Sequence, residues 1–242
     1  MVQNKKTDKP DYGVDGSPLR VPLICIGLWV LTIILLALPN LVFQVLGTLS
    51  LIITALFTIL AVKFIYYVKA GKLRLRDRLL SMVDWKGNEM VLDIGTGRGL
   101  LMIGAAKNLT GGKSIGIDIW SQIDMHENNR EDTLKNAQIE GVRDKVEVKN
   151  GDAQKMLFPD SYFDVVLSNL CIHNIRTKAG REKACREIVR VLKPGGKAII
   201  SDAFHLKDYA RVFRSAGMST EILGGHLLET VTPWHRVVKA SK

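Results

Sequence analysis

The chain has 242 residues, with 34 Lys plus Arg against 24 Asp plus Glu, a formal net charge of +10. Hydrophobic residues make up 47% and charged residues 24%, near the globular average, which excludes wholesale disorder, a collagen-like repeat and a disulfide-stapled mini-protein. The average conceals a run without any charge from Val21 to Val62. Half of the excess charge follows it directly: Lys63, Lys69, Lys72, Arg74, Arg76, Arg78 and Lys86 stand against Asp77 and Asp84, a net +5.

Residues 1–20, with Pro10, Gly13, Gly16 and Pro18, read as a disordered cytoplasmic tail. Residues 21–38 and 41–68 read as the two arms of a transmembrane helical hairpin, turned at Pro39-Asn40. A cleaved signal peptide and a buried soluble hairpin compete with this reading. The first is disfavoured by a second apolar segment and the missing A-x-A-like site, the second by the large apolar partner surface it requires. Basic flanks at both ends and an uncharged turn predict a two-pass integral membrane protein with both termini and the catalytic domain cytoplasmic. A basic segment abutting a long apolar one fits an anionic inner leaflet better than nucleic acid, whose binders spread basic residues over a folded face among aromatics. Residues 69–86 form a basic juxtamembrane connector, either a helix on the membrane surface or a first helix packed on the domain that follows.

Residues 87–242 change pattern to strands alternating with helical stretches. Strands are expected at Met90–Ile94, Ser114–Ile119, Lys145–Lys149, Phe163–Ser168, Lys197–Ser201, Glu221–Leu223 and His235–Ala240. Helices are expected at Gly99–Leu109, Ser121–Glu140, Ala179–Leu192 and Leu206–Ala216. The alternation implies an α/β fold, a Rossmann-like doubly wound and mostly parallel sheet, preceded by the helical hairpin. Ligands of such sheets bind beyond the carboxyl ends of the strands, where strand order reverses.

The first strand runs into Asp93-Ile94-Gly95-Thr96-Gly97-Arg98-Gly99, a glycine-rich turn of G-x-G-x-G spacing. It departs from the dinucleotide G-x-G-x-x-G fingerprint and lacks the Lys-Ser/Thr of a P-loop. Asp118 ends the second strand, where an acid can accept from both hydroxyls of a ribose. Asn150-Gly151-Asp152-Ala153 and Ser168-Asn169 end the next two. A cap or turn explains any one of these polar residues. Four in register with a glycine loop read as a site.

Residues 89–202 resemble a class I S-adenosylmethionine-dependent methyltransferase of the UbiE-like small-molecule group. The resemblance rests on Val91–Gly99, Gly116-Ile117-Asp118, Gly151-Asp152-Ala153, Phe158–Val166 and Arg190–Lys197, in that order and spacing. It implies S-adenosyl-L-methionine as cofactor. Asp93, Gly95, Gly97 and Gly99 would lie against its methionine part, Asp118 at the ribose, Asp152 and Ala153 at the adenine, and Asn169 at the methionine and methyl end, with Thr96 and Ile119 also binding the cofactor. Removing Asp118 is expected to weaken binding about tenfold, the loss of one charge-assisted hydrogen bond.

His173, just past the fourth strand, is the candidate catalytic base; packing or hydrogen bonding at a helix start is the competing reading. Cys171, His205, Tyr209 and His226 are weaker candidates for the acceptor pocket, and Trp120 either flanks the adenosine or packs. The three cysteines, Cys25, Cys171 and Cys185, show no zinc, disulfide or metalloid-binding pattern, so no metal is expected. The function expected is a membrane-anchored methyltransferase acting on a small-molecule or lipid acceptor. A methyltransferase of membrane proteins and a non-catalytic scaffold that kept the fold are the alternatives.

Overall fold

The computed structural model describes residues 9–13, 20–121, 128–226, 228–230 and 232–242. Most of the expected N-terminal tail, and the first part of the helix expected from Ser121, lie outside these residues.

Helix α1 (Arg20–Ala37) and helix α2 (Leu41–Tyr66) pack together as a helical hairpin. Asn40 caps α2, its side chain accepting from Val42 N at 2.8 Å. The hairpin is polar inside and apolar outside. Thr32 and Thr54 are buried, whereas Leu23, Ile33, Leu41, Ile52 and Ile59 are exposed. Thr32 Oγ1 lies 2.7 Å from Ser50 Oγ and 3.1 Å from Thr54 Oγ1, and Trp29 Nε1 donates to Thr58 Oγ1 at 3.1 Å. Gly47 lets the helices approach closely, because a Cβ there would meet Leu36 Cδ2 at 2.8 Å.

Helix α2 does not stop at the hairpin's end. A five-residue π-helical turn, Tyr67–Gly71, joins it to α3 (Lys72–Leu80). The helix from Leu41 to Leu80 therefore has 40 residues, about 60 Å at 1.5 Å each. Among the described residues it is the one helix long and apolar enough to cross a membrane; the apolar stretch Pro22–Ala37 is shorter. The basic connector resolves in favour of packing: Leu75, Leu79 and Leu80 are buried against Val91, Leu101, Ala105 and Leu109.

The α/β body has a seven-stranded sheet in the order β3-β2-β1-β4-β5-β7-β6. Its strands are β1 (Met90–Ile94), β2 (Lys113–Asp118), β3 (Val146–Asn150), β4 (Phe163–Asn169), β5 (Leu192–Asp202), β6 (Ser219–Gly224) and β7 (Arg236–Ser241). The first five run parallel, and β7 is antiparallel to both neighbours. Helices α4 (Leu100–Ala106), α5 (Arg130–Ile139), α6 (Lys178–Val191) and α7 (Leu206–Ser215) complete it. Alternate strand residues feed two cores. Val91, Val165, Leu167, Ile199 and Val237 pack with α3 and α4. Leu92, Val166, Ala198, Ile200 and Val238 pack with α6 and α7.

One expectation is corrected by contacts across the chain. Residues 9–13, read as part of a disordered tail, lie on the α/β body. Tyr12 is buried and its hydroxyl donates to Glu140 Oε1 at 2.9 Å. Asp11 Oδ2 meets Arg98 Nη1 at 2.5 Å, and Lys72 Nζ donates to Gly13 O at 2.7 Å. These partners are 59 to 128 residues away, so no local signal marks the segment.

Candidate active site

Strand order reverses between β1 and β4, and the crevice beyond their carboxyl ends is a cavity of about 890 Å³. That is near the top of the range of about 300–1,000 Å³ for small-molecule sites, with room for more than one ligand. All the residues expected at the cofactor line it except Gly99. Gly99 instead starts α4 with φ +88.

The glycine loop is built by positive backbone angles. Gly95 has φ +70 and Gly97 φ +49, a region that costs other residues about 1–2 kcal/mol. Gly95 is also closely covered, since a Cβ would fall 2.3 Å from Cys171 Sγ. Gly95→Ala should therefore destabilise the body by about 2–4 kcal/mol, strain and overpacking together. In a Cys171→Gly background only the strain remains, and a double-mutant cycle on thermal midpoints separates the two contributions.

Two acids hold the loop. Asp118 accepts from Gly97 N at 2.8 Å through Oδ2, and from Trp120 N at 2.7 Å and Asn128 Nδ2 at 3.3 Å through Oδ1. With about four lone-pair sites, its carboxylate keeps capacity for a further donor. Asp93 Oδ2 accepts from Thr96 Oγ1 and Met102 N, both at 2.9 Å. Burial pushes the Asp93 carboxyl up to about 7, against the lowering effect of those two bonds. A raised acid favours folding in its protonated form. That contribution is complete below the unfolded value of about 3.9 and is lost as pH rises towards 7. Denaturation of the wild type and Asp93→Asn across this window should show the wild type losing about 1.4 kcal/mol per pH unit relative to the variant.

The remaining wall matches the parts of a nucleoside bearing an amino acid. Asn169 Oδ1, at the end of β4, is buried with no hydrogen-bond partner, an acceptor that calls for a ligand donor such as an ammonium group. The exposed side chain of Ile119 and the buried Ala153 offer apolar surface, with the Asp152 carboxylate at the same rim. Oδ1 of Asp152 accepts from Gln154 N at 2.8 Å and Oδ2 from Gln154 Nε2 at 3.4 Å, and the remaining lone pairs of the carboxylate can receive an amine. Glycine backbone, ribose acid, apolar slot and orphan acceptor together fit S-adenosylmethionine.

His173 lies in the same cavity, its Nδ1 2.5 Å from Asp202 Oδ1. Cys171 also lines it. Tyr209 is buried in the core, and His205 starts α7 with φ +64; neither lines the cavity, nor does His226. Trp120 is outside the wall too, packing at the α4–α5 core with Nε1 donating to Asn150 Oδ1 at 2.6 Å. Sequence reasoning missed Asn128, Asp202 and one whole side of the cavity. Tyr12 and Gly13 from the N-terminal strap, and Phe64, Tyr67, Val68 and Lys72 from the end of α2 and its continuation, supply that side. Asp202 was within reach, since it too ends a parallel strand.

The fold and the site are similar to those of class I S-adenosylmethionine-dependent methyltransferases, and that likeness implies S-adenosylmethionine as the cofactor. Residues 92–200 match the family described as methyltransferase domain. The chain is 35% identical over 135 residues to the sterol 4-C-methyltransferase of Caenorhabditis elegans, covering 56% of this chain and 37% of that protein. It is 38% identical over 60 residues to the ubiquinone/menaquinone biosynthesis C-methyltransferase UbiE of Vibrio campbellii, covering 25% of this chain and 22% of that one. These alignments span well under half of either relative. A SAM-dependent methyltransferase from Aquifex aeolicus superposes with TM-score 0.53 at 19% identity, covering 72% of this chain and 93% of that one. The [4+2]-cyclase SpnF superposes with TM-score 0.56 at 19% identity, covering 70% and 80%. Both likenesses establish the fold alone.

Proposed function

We propose that the chain is a membrane-anchored methyltransferase that transfers a methyl group from S-adenosylmethionine to a small lipophilic acceptor at the cytoplasmic membrane face. One observation carries this reading: the apolar helix that begins at Leu41 supplies a wall of the cofactor cavity, through Phe64, Tyr67, Val68 and Lys72. An acceptor dissolved in the bilayer would meet the cavity where that helix leaves the membrane. The inside-out hairpin supports the anchor, because its hydroxyls bond between helices while its Leu and Ile side chains face outward. The sterol named for one relative, and the ubiquinone and menaquinone whose biosynthesis the other serves, are lipophilic.

The bound cofactor supplies a methyl group already activated on a sulfonium. The chain's residues have to hold it in line with the acceptor and keep water out. The Gly95–Gly97 backbone and Asp118 fix one end, Asn169 receives the amino group, and the Tyr12–Gly13 strap closes the side next to Lys72. The SpnF likeness is a reminder that the fold by itself does not fix the reaction.

The test uses membranes containing or lacking the full chain, incubated with methyl-labelled cofactor. Label in the organic extract, dependent on the chain, is the expected result. Label confined to protein bands on a gel would move the reading to a protein methyltransferase, and no label in any fraction would favour a scaffold.

A further inference from the structure

The loop from β6 to β7 is braced against the helix that leads out of the hairpin. Gly225 N donates to His235 O at 3.0 Å and closes the base of the loop. Thr230 is buried, its Oγ1 3.0 Å from His226 O and 3.1 Å from Thr232 O. Arg78 Nε donates to Glu229 Oε2 at 2.6 Å and ties the loop to α3. Gly71, in the π-turn, permits the contact, because a Cβ there would fall 2.4 Å from Leu228 O. On this braced loop Leu228 and Trp234 are 52% and 51% exposed. The half-exposed Phe204 ring lies 6.4 Å from that of Trp234. Phe204 lines the cavity together with Phe64 and Val68 of the apolar helix and its continuation, whereas Leu228 and Trp234 are not in its wall. A ligand held in the cavity therefore does not account for that pair.

We propose that Phe204, Leu228 and Trp234 form a second membrane contact, made by the α/β body, which seats in the headgroup layer of an anionic bilayer and holds the cavity against it. The proposal rests on the membrane-anchored reading and adds a contact that the hairpin does not make. Continuity with the anchor favours lipid as the occupant. Leu228 meets the helix at Gly71, three residues past Val68, where the apolar stretch ends. Length favours it too. Leu41 to Val68 spans about 42 Å at 1.5 Å per residue, against a hydrocarbon core of about 30 Å. A stretch longer than the core tilts, and tilting brings one side of the attached body down to the surface. The side that carries exposed apolar groups gains most from this. Charge is compatible as well. Gly225 to Arg236 contains a single acid, Glu229, and Arg78 neutralises it, while Lys69 stands exposed beside the contact at Gly71. No uncompensated anion of the loop would meet acidic headgroups. The amphipathic ring of Trp234 suits that depth.

The experiment reads tryptophan quenching in the full chain, reconstituted in vesicles of phosphatidylcholine and phosphatidylserine brominated at shallow or at deep acyl positions. Wild type, Trp29→Phe and Trp234→Phe are compared with and without bromine, so that each difference isolates one indole of the wild-type chain. Trp234 should be quenched by shallow bromines and shielded from aqueous acrylamide. Quenching of Trp234 by acrylamide alone would overturn the contact. Protection from both quenchers would overturn it in favour of a second copy of the chain on the patch. Trp29, on α1, reports on the anchor. If deep bromines fail to quench Trp29, the membrane reading beneath the proposal falls; if they quench it while Trp234 stays bright, the second contact alone falls. No turnover is needed, so the outcome does not depend on methyl transfer.

A kinetic arm tests what the contact does. Membranes lacking the chain supply an organic extract as the acceptor source. The double variant Leu228→Glu with Trp234→Glu should raise the extract mole fraction needed for half-maximal labelling about tenfold, as two half-buried apolar contacts are lost. Its rate at saturation and its affinity for S-adenosylmethionine should stay within about twofold of the wild type, because neither side chain lines the cavity. An unchanged half-saturation would overturn the role of the patch in presenting the cavity to the membrane.

Discussion

Asp118→Ala should lower the affinity for S-adenosylmethionine at least 100-fold, well beyond the tenfold that one lost hydrogen bond implies. The carboxylate is a keystone of the loop as well as the proposed ribose acceptor. Without it the Gly97 and Trp120 amides lose their acceptor inside the protein. Each hydrogen bond to a charged group contributes about 1.5–3 kcal/mol, and 100-fold in affinity is about 2.7 kcal/mol. Asp118→Asn keeps one carbonyl oxygen without the charge and should fall between the two. Calorimetry on the three proteins measures this directly. An Asp118→Ala chain that binds within tenfold of the wild type would show that the loop holds its shape without the acid.

The second large effect is on stability. Leu75→Ala with Leu79→Ala should bring the α/β body close to unfolding at 25 °C. Both side chains are fully buried, one helical turn apart on α3, against Val91, Leu101 and Leu109. A buried Leu→Ala change costs about 2–5 kcal/mol, so the pair removes an amount comparable to the whole stability of about 5–15 kcal/mol. The same changes at Leu56 and Leu60 on α2, which are exposed, should leave the unfolding of the body unaltered. Near-ultraviolet circular dichroism during denaturation distinguishes the outcomes. A body indifferent to the α3 pair would mean that the connector is not part of its core.

The sheet was legible in the sequence because each strand is a short apolar run bounded by turn residues. β1 falls at the expected Met90–Ile94. Boundaries slipped where the fold overrides local pattern. β5 begins at Leu192, earlier than Lys197, because Leu192 pairs with Phe163 across an irregularity in the β4 ladder. Helix α5 begins at Arg130, where the Asn129 side chain accepts from Asp132 N at 2.8 Å. The glycine loop and its acids were legible because their roles depend on position at strand ends. The cavity's other side was not. Tyr12, Phe64 and Tyr67 reach it through tertiary packing and the π-turn, neither of which has a periodic signature. Apolar Phe64 and Tyr67 looked like the end of a membrane helix, which is consistent with their lining the site as well.

The central question is whether the acceptor arrives through the bilayer. Surface dilution tests this: the full chain is reconstituted in vesicles containing the organic extract of membranes that lack it. Inert phospholipid is then added at constant bulk concentrations of extract, chain and labelled cofactor. If the acceptor enters where α2 meets the cavity, labelled product should form at a rate that falls in proportion to the acceptor's mole fraction in the membrane. A rate that ignores added lipid and follows bulk concentration alone would contradict that route.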